Sequence, residues 1–407
     1  MSEFVSDVTV VGGGIAGLWT AKELIGRGHS VNLVERSSQL AAGATTRNEG
    51  WLHAGTYHSV AIQDEADAAR VTARTIEGHD SIVEFAPESI DHEESYAFIR
   101  DEALVQEALR KWSRLGVQFR EMPQRRFADE GFDIDRISAA FAVKDKSVNT
   151  VVLCQKLARF ILENGGRIFL GAEYRPMDEG VAEIVTKTER HALRSDVTIV
   201  SAGAGTGRIL EEVTGKPSPM RYFKSHLLVA PRLSEDNFFY VDPMEAGLMS
   251  HGDGTIVGIN REAIELTEPD YATVPQRGQM LQDALDRMLP NIRLSVEGGQ
   301  LRPIACVKVD VLDEEILRTR QSRSVPQDLN IKVFEPAANY ICAIPGKMTE
   351  APILARAAAD FVEAGKTIGK TNVRSPEITL LEDSVFPITD RPIDIWSREQ
   401  LEREDVS

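Results

Sequence analysis

The sequence predicts an α/β protein of two domains, and three observations lead to this fold class. The chain has 407 residues, more than the ~250–300 residues that one hydrophobic core usually organises. It opens with an apolar strand, a glycine turn, a helix and a second strand, which is a βαβ pattern. Similar strand and glycine segments return at residues 151–205 and 340–365, with other patterns between them. We therefore expect a Rossmann-like domain assembled from discontinuous segments, with an inserted α+β domain built on a mixed or antiparallel sheet.

The predicted domain boundaries follow this alternation. We assign 1–80, 146–215 and 336–370 to the Rossmann-like domain, 81–145 and 216–335 to the inserted domain, and 371–407 to a C-terminal extension. In the opening unit, residues 7–11 form a buried strand and residues 12–14 the turn, and the helix ends near Gly26 or Gly28. Residues 117–145 are charged and predict irregular structure.

Composition and charge exclude several classes of partner. The formal net charge of −17 repels phosphate backbones, so we expect no nucleic-acid partner. No apolar run approaches the roughly 20 residues needed to cross a bilayer, and the start lacks a basic segment before an apolar stretch, so we expect neither a transmembrane segment nor a signal peptide. The cysteines Cys154, Cys306 and Cys342 are far apart, which suits reduced thiols and a cytoplasmic protein. With no CxxC pair or His/Cys cluster, we predict no metal.

The strongest functional motif is the turn Gly12-x-Gly14-x-x-Gly17 between the first strand and helix. The first glycine permits the tight turn, the second lets a pyrophosphate approach the backbone, and the third lets helix and strand pack closely. The N–H groups and dipole at the helix start favour phosphate. Glu35 ends the next strand, where a carboxylate accepts from ribose hydroxyls and disfavours the 2′-phosphate of NADP. The motif therefore predicts NAD or FAD.

Two further segments bear on the choice between these cofactors. The loop after the second strand carries donors and small residues that can follow an extended cofactor to its ring, which favours FAD: Thr45, Thr46, Arg47, Asn48, Gly50 and His53. A second glycine-rich strand end, residues 202–205 (AGAG), either closes over the same cofactor or is a simple turn.

These segments, in this order, resemble the D-amino-acid-oxidase-like superfamily of FAD-dependent oxidoreductases. VVGGGIAGLWTAKEL…VNLVER is similar to the opening fingerprint of that superfamily, and DVTIVSAGAG to its second cofactor strand. LRPIA (301–305) and IPGKMTEAP (344–352) resemble its two C-terminal motifs at the flavin face. The loop NEGWLHAGTY (48–57) is similar to that of L-2-hydroxyglutarate dehydrogenases, whereas GKMT (346–349) resembles the Gly-Lys-x-Thr of glycerol-3-phosphate dehydrogenases. Tyr57 stands where the latter keep an arginine for phosphate.

The resemblance and the motifs together imply a set of site residues. For catalysis, they imply His53 as a base, Arg302 as the group that holds a substrate carboxylate, Lys347 as a charge near the flavin, and Tyr57 as a pocket residue. Covalent attachment of the flavin through His53 is a further alternative. The expected FAD contacts are Gly12, Gly14, Ile15, Ala16, Gly17, Glu35, Arg36, Thr45, Thr46, Arg47, Asn48, Gly50, Tyr174, Ala202, Gly203, Gly346, Lys347, Met348 and Thr349.

Three functions stay open at this point. The first is oxidation of a CH–OH group in a small 2-hydroxy acid or related secondary alcohol, by hydride transfer to flavin N5. The second is oxidation of a CH–NH group in an amine or amino acid on the same fold. The third is a flavin-binding protein without turnover, which a polar pocket disfavours because buried charges need a compensating ligand. The electron acceptor could be oxygen, a quinone or a protein carrier.

Overall fold

A computed structural model describes residues 3–177, 180–260, 262–311 and 331–365 of the chain. The predicted C-terminal extension, 371–407, lies outside the described residues, and so do 312–330 and 366–370 of two predicted segments.

The elements in these ranges alternate between helices and strands. The helices are α1 (Ile15–Gly26), α2 (Thr56–Ala61), α3 (Glu65–Phe85), α4 (Glu102–Leu115), α5 (Thr150–Glu163), α6 (Thr206–Thr214), α7 (Pro275–Met288) and α8 (Ala351–Gly365). The strands are β1 (Glu3–Val11), β2 (Val31–Val34), β3 (Trp51–Leu52), β4 (Ile90–His92), β5 (Ser95–Ile99), β6 (Phe119–Met122), β7 (Ala139–Val143), β8 (Lys146–Val148), β9 (Arg167–Phe169), β10 (Glu173–Pro176), β11 (Val181–Val185), β12 (Arg190–Val200), β13 (Met220–Pro231), β14 (Asn237–Tyr240), β15 (Ala246–His251), β16 (Gly254–Ile259), β17 (Ile264–Leu266), β18 (Arg302–Val311), β19 (Lys332–Ala337) and β20 (Tyr340–Ile344).

The first sheet has eight strands and a parallel centre. β20, β12, β1, β2 and β9 lie side by side and all run in the same direction. Three antiparallel strands complete the sheet: β11 pairs with β12, β10 with β11, and β19 with β20. The strands therefore come from three separated stretches of the chain, as the predicted fold class requires. Because the central strands are parallel, their carboxyl ends meet at one edge, which is where ligands bind in open α/β sheets.

Helices α1, α5 and α8 bury their apolar sides in the core of the first sheet. That core joins Val8 and Val10 of β1 with Leu18 and Leu24 of α1, and Leu157 of α5 and Leu354 of α8 close it. All of these side chains are fully buried. Strands that are apolar along their whole length need cover on both faces, so the helices follow from the strand sequences.

The second sheet has nine strands, in the order β17-β13-β16-β15-β14-β5-β7-β6, with β18 on the other edge of β13. Its pairs are antiparallel except that between β14 and β5. Its core is rich in aromatic rings, which include Tyr96, Phe98, Phe127 and Phe238. The fold is thus the predicted mixed α/β class, while the positions of the domain boundaries stay predictions.

One expectation about the inserted segment is wrong. Residues 117–145 are not irregular throughout, because β6 and β7 lie in them and pair with each other in the second sheet. Just after this stretch comes β8, the central strand of a third sheet, β3-β8-β4. Its strands have only two or three residues each, too few for a sequence pattern to reveal. They are nevertheless important, because they fix the loop that carries His53.

Candidate active site

A cavity of about 390 Å³ lies at the carboxyl edge of the parallel strands. The turns that follow β1, β2, β12 and β20 line one wall, and β13, β16 and β18 of the second sheet line another. Both sheets therefore contribute to one site. This is the position that the topology of an open α/β sheet predicts for a dinucleotide.

The glycine turn after β1 is built for close approach of backbones. Gly12 has a φ of +116°, a conformation that side chains rarely adopt. A Cβ there would lie closer than 3.0 Å to the carbonyl of Ser201 at the end of β12. A Cβ at Gly17 would press in the same way on the carbonyl oxygen of Gly12. Gly17 therefore packs α1 on β1 behind the cavity, and does not line it.

The start of α1 opens on the cavity. Gly14 is the N-cap and no side chain caps this helix, while Gly14, Ile15 and Ala16 all line the cavity. The N–H of Ile15 donates to Thr45 Oγ1 at 3.0 Å, which ties the loop after β2 to the helix start. Uncapped N–H groups and the positive end of the helix dipole make this a fit site for a pyrophosphate.

Glu35 is held at the cavity wall by two backbone donors. Its Oε2 accepts from the N–H of Gly13 at 2.7 Å, and its Oε1 accepts from the N–H of Ser37 at 2.8 Å. A carboxylate oxygen has a second lone pair, so the group can still accept from ribose hydroxyls. Arg36, Tyr174, Ala202 and Gly203 line the same end of the cavity. The residues here fit the adenosine half of FAD.

Five of the residues expected to contact FAD lie outside the cavity lining: Gly17, described above, and four residues of the loops. Thr46 Oγ1 donates to the carbonyl of Ala41 at 2.8 Å, so it closes its own loop. Arg47 stacks on the ring of Tyr271, and Gly50 sits against His251. Thr349 is fully buried. The loops that contain these residues do line the cavity, and loop geometry decides which of their side chains face it.

The other end of the cavity carries the groups for chemistry. His53, Tyr57 and His58 line it from the loop after β3 and from α2, and Lys347 and Met348 line it after β20. The rings of His53 and His58 meet edge to face at 4.4 Å between centroids. The Nδ1 atoms of both histidines are buried and have no hydrogen-bond partner among the described residues.

Both histidines are held in the neutral form. Burial lowers the pKa of His53 well below its usual value, and the charges of Lys347 and Lys308 lower it further. Burial also lowers the pKa of His58, with additional contributions from His53 and the same two lysines. A neutral imidazole keeps one ring nitrogen free to accept a proton. The cavity is therefore lined by two unprotonated imidazoles at neutral pH.

Arg302 is not at the site, and Lys308 is. Arg302 begins β18 opposite Val229 and does not line the cavity, whereas Cys306, Val307, Lys308 and Val309 do. Burial opposes the charge of Lys308, but Glu49, Cys306 and Glu262 together outweigh burial and raise the pKa of Lys308. Lys308 is therefore a cation facing the cavity. The sequence offered no signal for it beyond a charged residue inside an apolar strand.

Lys347 is the second cation of the site. Its side chain is 8% exposed, and its Nζ lies 3.7 Å from Oε2 of the fully buried Glu350. Arg74 Nε donates to the other oxygen of Glu350 at 2.8 Å. The acidic groups Glu49 and Glu262 also line the cavity, together with His226 and Asn260. His226 Nδ1 contacts Glu262 at 3.1 Å and its Nε2 accepts from the N–H of Val274, so both ring nitrogens have partners.

The described ranges hold no group of three or more His, Cys, Asp or Glu side chains arranged to bind a metal ion. None of the helices seen there is long and apolar enough to span a membrane.

The glycine turn, the uncapped helix start and the carboxylate after β2 define a dinucleotide-binding protein, and the cavity beyond them defines an oxidoreductase of the flavin type. The chain belongs to the family of FAD-dependent oxidoreductases (DAO), whose family model matches residues 7–323. It is an FAD-dependent enzyme, so the expected superfamily and cofactor are confirmed. No curated protein sequence matches the chain.

Solved structures show the same fold at low identity. Glycine oxidase from Geobacillus kaustophilus has a TM-score of 0.66 at 16% identity, covering 89% of this chain and 96% of that chain. L-proline dehydrogenase from P. horikoshii has a TM-score of 0.67 at 17% identity, covering 90% and 95%. L-alpha-glycerophosphate oxidase from Mycoplasma pneumoniae, with FAD bound, has a TM-score of 0.66 at 16% identity, covering 88% and 95%. These similarities show that the fold is shared, and they do not identify the substrate.

Proposed function

We propose that this enzyme oxidises the CH–OH group of a small 2-hydroxy acid, with His53 as the base. The observation that carries the proposal is the pairing of a buried neutral imidazole with two cations around one end of the cavity. Nδ1 of His53 is buried, yet the side chain is 16% exposed and lines the cavity. The ring nitrogen that a substrate can reach is therefore Nε2.

The proposed reaction divides the work between the cofactor and the chain. Bound FAD would supply the two-electron oxidant, that is, the acceptor for a hydride from the carbon that carries the hydroxyl group. Nε2 of His53 takes the hydroxyl proton, so the substrate loses two electrons and two hydrogens and leaves as a 2-oxo acid. A positioned base of this kind contributes about 10²–10⁴ in rate.

Lys308 and Lys347 supply the charge that holds an acid. A substrate carboxylate between these cations would gain charge-assisted hydrogen bonds, each contributing about 1.5–3 kcal/mol. It would also compensate cations that are costly to bury. The same two charges oppose protonation of His53, which keeps the base free until the substrate carboxylate offsets them. Tyr57, buried beside His58 at 5.4 Å between ring centroids, is proposed to close this end of the pocket.

A second candidate is oxidation of an amino acid at its CH–NH group. The observation that favours it is the presence of Glu49 and Glu262 in the cavity wall, because carboxylates could hold an ammonium group. Glycine oxidase and L-proline dehydrogenase, two proteins of similar fold, act on amino acids by name. We rank it second because Glu262 contacts His226 and the charge of Glu49 already interacts with that of Lys308.

The test is anaerobic reduction of the bound flavin. The purified yellow protein is mixed without oxygen with small 2-hydroxy acids, with the matching 2-amino acids, and with the corresponding alcohols that lack the carboxylate. The proposal expects loss of flavin absorbance with a 2-hydroxy acid, and little or none with the matched alcohol or amino acid. Bleaching by the amino acid alone would establish the second candidate in its place.

A further inference from the structure

Asp145 is a fully buried carboxylate behind the cavity wall, just before β8. Its Oδ1 accepts from Trp51 Nε1 at 2.9 Å, its Oδ2 accepts from the hydroxyl of Thr56, and the backbone N–H of Ala54 donates to it as well. Burial raises the pKa of Asp145, and these three hydrogen bonds oppose that rise. An indole N–H and a backbone N–H can only donate, so the group is arranged to be an acceptor, as an ionised carboxylate is.

The three donors bracket His53. Trp51 precedes it and Ala54 and Thr56 follow it, so the loop wraps around the carboxylate. The Nδ1 atom of His53 lies 3.9 Å from Asp145 Oδ1. The imidazole also stacks on Trp51 at 4.3 Å between ring centroids, and its backbone N–H donates to Thr349 Oγ1 at 3.1 Å. The ring is thus fixed with Nδ1 toward Asp145 and Nε2 toward the cavity.

We propose that Asp145 is the positioning residue for His53: it holds the proton on Nδ1 and stabilises the imidazolium that forms when Nε2 takes up a proton. This inference rests on the proposed function, in which His53 is the base. A carboxylate behind an imidazole fixes the tautomer and offsets the developing charge without itself taking the proton. At 3.9 Å the two atoms are too far apart for a hydrogen bond, and they attract as an ion pair once the ring takes up a proton. A shift of about 1 Å on substrate binding would form that bond, since catalytic hydrogen bonds often tighten only in the complex.

The charges around His53 make such a counter-ion necessary. Lys347, Lys308 and the neighbouring His58 face it from the cavity side. His79 also acts on Asp145 and lowers the pKa of that carboxyl. Asp145 is therefore the acidic group that the structure places against the buried ring nitrogen of the base.

A simpler role for Asp145 is that of a structural anchor for the loop 51–56, and matched variants separate the two roles. Asp145→Asn keeps the size of the side chain but removes its charge. Thr56→Val removes one hydrogen bond to the same carboxylate, while the charge and the Trp51 and Ala54 contacts stay. His53→Ala removes the base itself. All three are purified with FAD bound and compared in flavin content and thermal midpoint.

The first readout is the rate of anaerobic flavin reduction by the 2-hydroxy acid as a function of pH. The proposal expects Asp145→Asn to be at least about tenfold slower, with the pH dependence shifted, since removing such a carboxylate costs up to about 10⁴ in the best-studied case. Thr56→Val should keep the wild-type pH profile even where it loses thermal stability. Equal slowing and unchanged pH profiles in both variants would overturn the inference and leave only the anchor role.

The second readout does not depend on turnover. Nitrogen NMR of ¹⁵N-histidine-labelled resting holoenzyme reports which ring nitrogen carries the proton, and His53→Ala identifies the His53 signals. The proposal expects a protonated Nδ1 in wild type and in Thr56→Val, and a mixture of tautomers in Asp145→Asn. An unchanged tautomer in Asp145→Asn would contradict it. If His53→Ala reduces as fast as wild type, the proposed function fails, and the tautomer still decides whether Asp145 positions the ring.

Discussion

Replacing Gly14 by valine should give a folded protein that has lost its flavin. Gly14 has a φ of −79°, which any residue tolerates. A Cβ built there would meet Thr45 Oγ1 at 3.2 Å as its nearest contact, so a shift of a few tenths of an ångström accommodates it. The hydrogen bond from Ile15 N–H to Thr45 Oγ1 is the contact at risk, at a cost of about 1 kcal/mol. The fold should therefore survive.

The substitution should weaken FAD binding and not the stability of the fold. Gly14 lines the cavity at the uncapped start of α1, and the two methyl groups of valine would occupy space that the pyrophosphate needs. We expect affinity for FAD to fall at least about 100-fold, which corresponds to about 2.8 kcal/mol at about 1.4 kcal/mol per factor of ten.

The assay is the ratio of flavin to protein absorbance after purification, followed by titration with FAD and a thermal melt. Gly26→Val is the matched control in the same helix, because a Cβ at Gly26 would meet no atom within 4 Å. That variant should remain yellow. A Gly14→Val protein that is fully yellow and binds FAD as tightly as wild type would refute the pyrophosphate site at α1.

Two further predictions concern charge at the site. Lys308→Met should keep FAD bound but raise the KM for a 2-hydroxy acid by about tenfold or more, since one charge-assisted hydrogen bond is lost. Arg302→Met is the control, because Arg302 does not line the cavity, and its KM should stay near that of wild type. Steady-state kinetics that show the reverse would make Arg302 the residue that holds the substrate carboxylate. The free energy of unfolding should fall as the pH drops below about 6.5, the pKa of an unperturbed histidine. The pKa values of His53 and His58 are lowered in the folded state, so the unfolded chain takes up protons at a higher pH than the folded protein does. Urea unfolding at pH 5 and pH 7 should show that the double variant His53→Gln/His58→Gln loses less unfolding free energy at pH 5 than wild type does. An equal loss in both proteins would mean that other groups cause the acid sensitivity.

The part of the fold predicted most reliably from sequence is the part that depends on local chemistry. The predicted helix after the glycine turn and the strand ending near Glu35 match α1 (Ile15–Gly26) and β2 (Val31–Val34). Gly12 and Glu35 belong to one short strand–helix–strand unit. Their spacing in the sequence is therefore enough to predict that the turn, the helix start and the carboxylate lie close together in space. The glycine-rich ends of β12 and β20 could also be foreseen, because parallel strands bring their carboxyl ends to one edge.

Lys308 shows why the substrate end could not be foreseen. Arg302 and Lys308 lie an even number of residues apart in β18, so both project from the same face of the strand. They are nevertheless about 20 Å apart at roughly 3.3 Å per residue, and only the end of the strand near Lys308 reaches the cavity. That placement depends on the register of β18 against β13. No local pattern encodes such a register.

Asp145 was missed for a related reason. It lies in a charged stretch without periodicity, where a solvated surface residue is the ordinary expectation. Its hydrogen bond to Trp51 joins residues 94 positions apart. The contact exists because β8 pairs with β3. That pairing joins only two residues of each strand, and such a short pairing between distant segments has no recognisable sequence pattern.

The most direct test of the account is the rate of anaerobic flavin reduction by a 2-hydroxy acid in His53→Ala compared with wild type, at matched flavin content. The account predicts a yellow variant in which reduction is at least about 100-fold slower, as expected when a positioned base is removed. Reduction at the wild-type rate would contradict the assignment of His53 as the base.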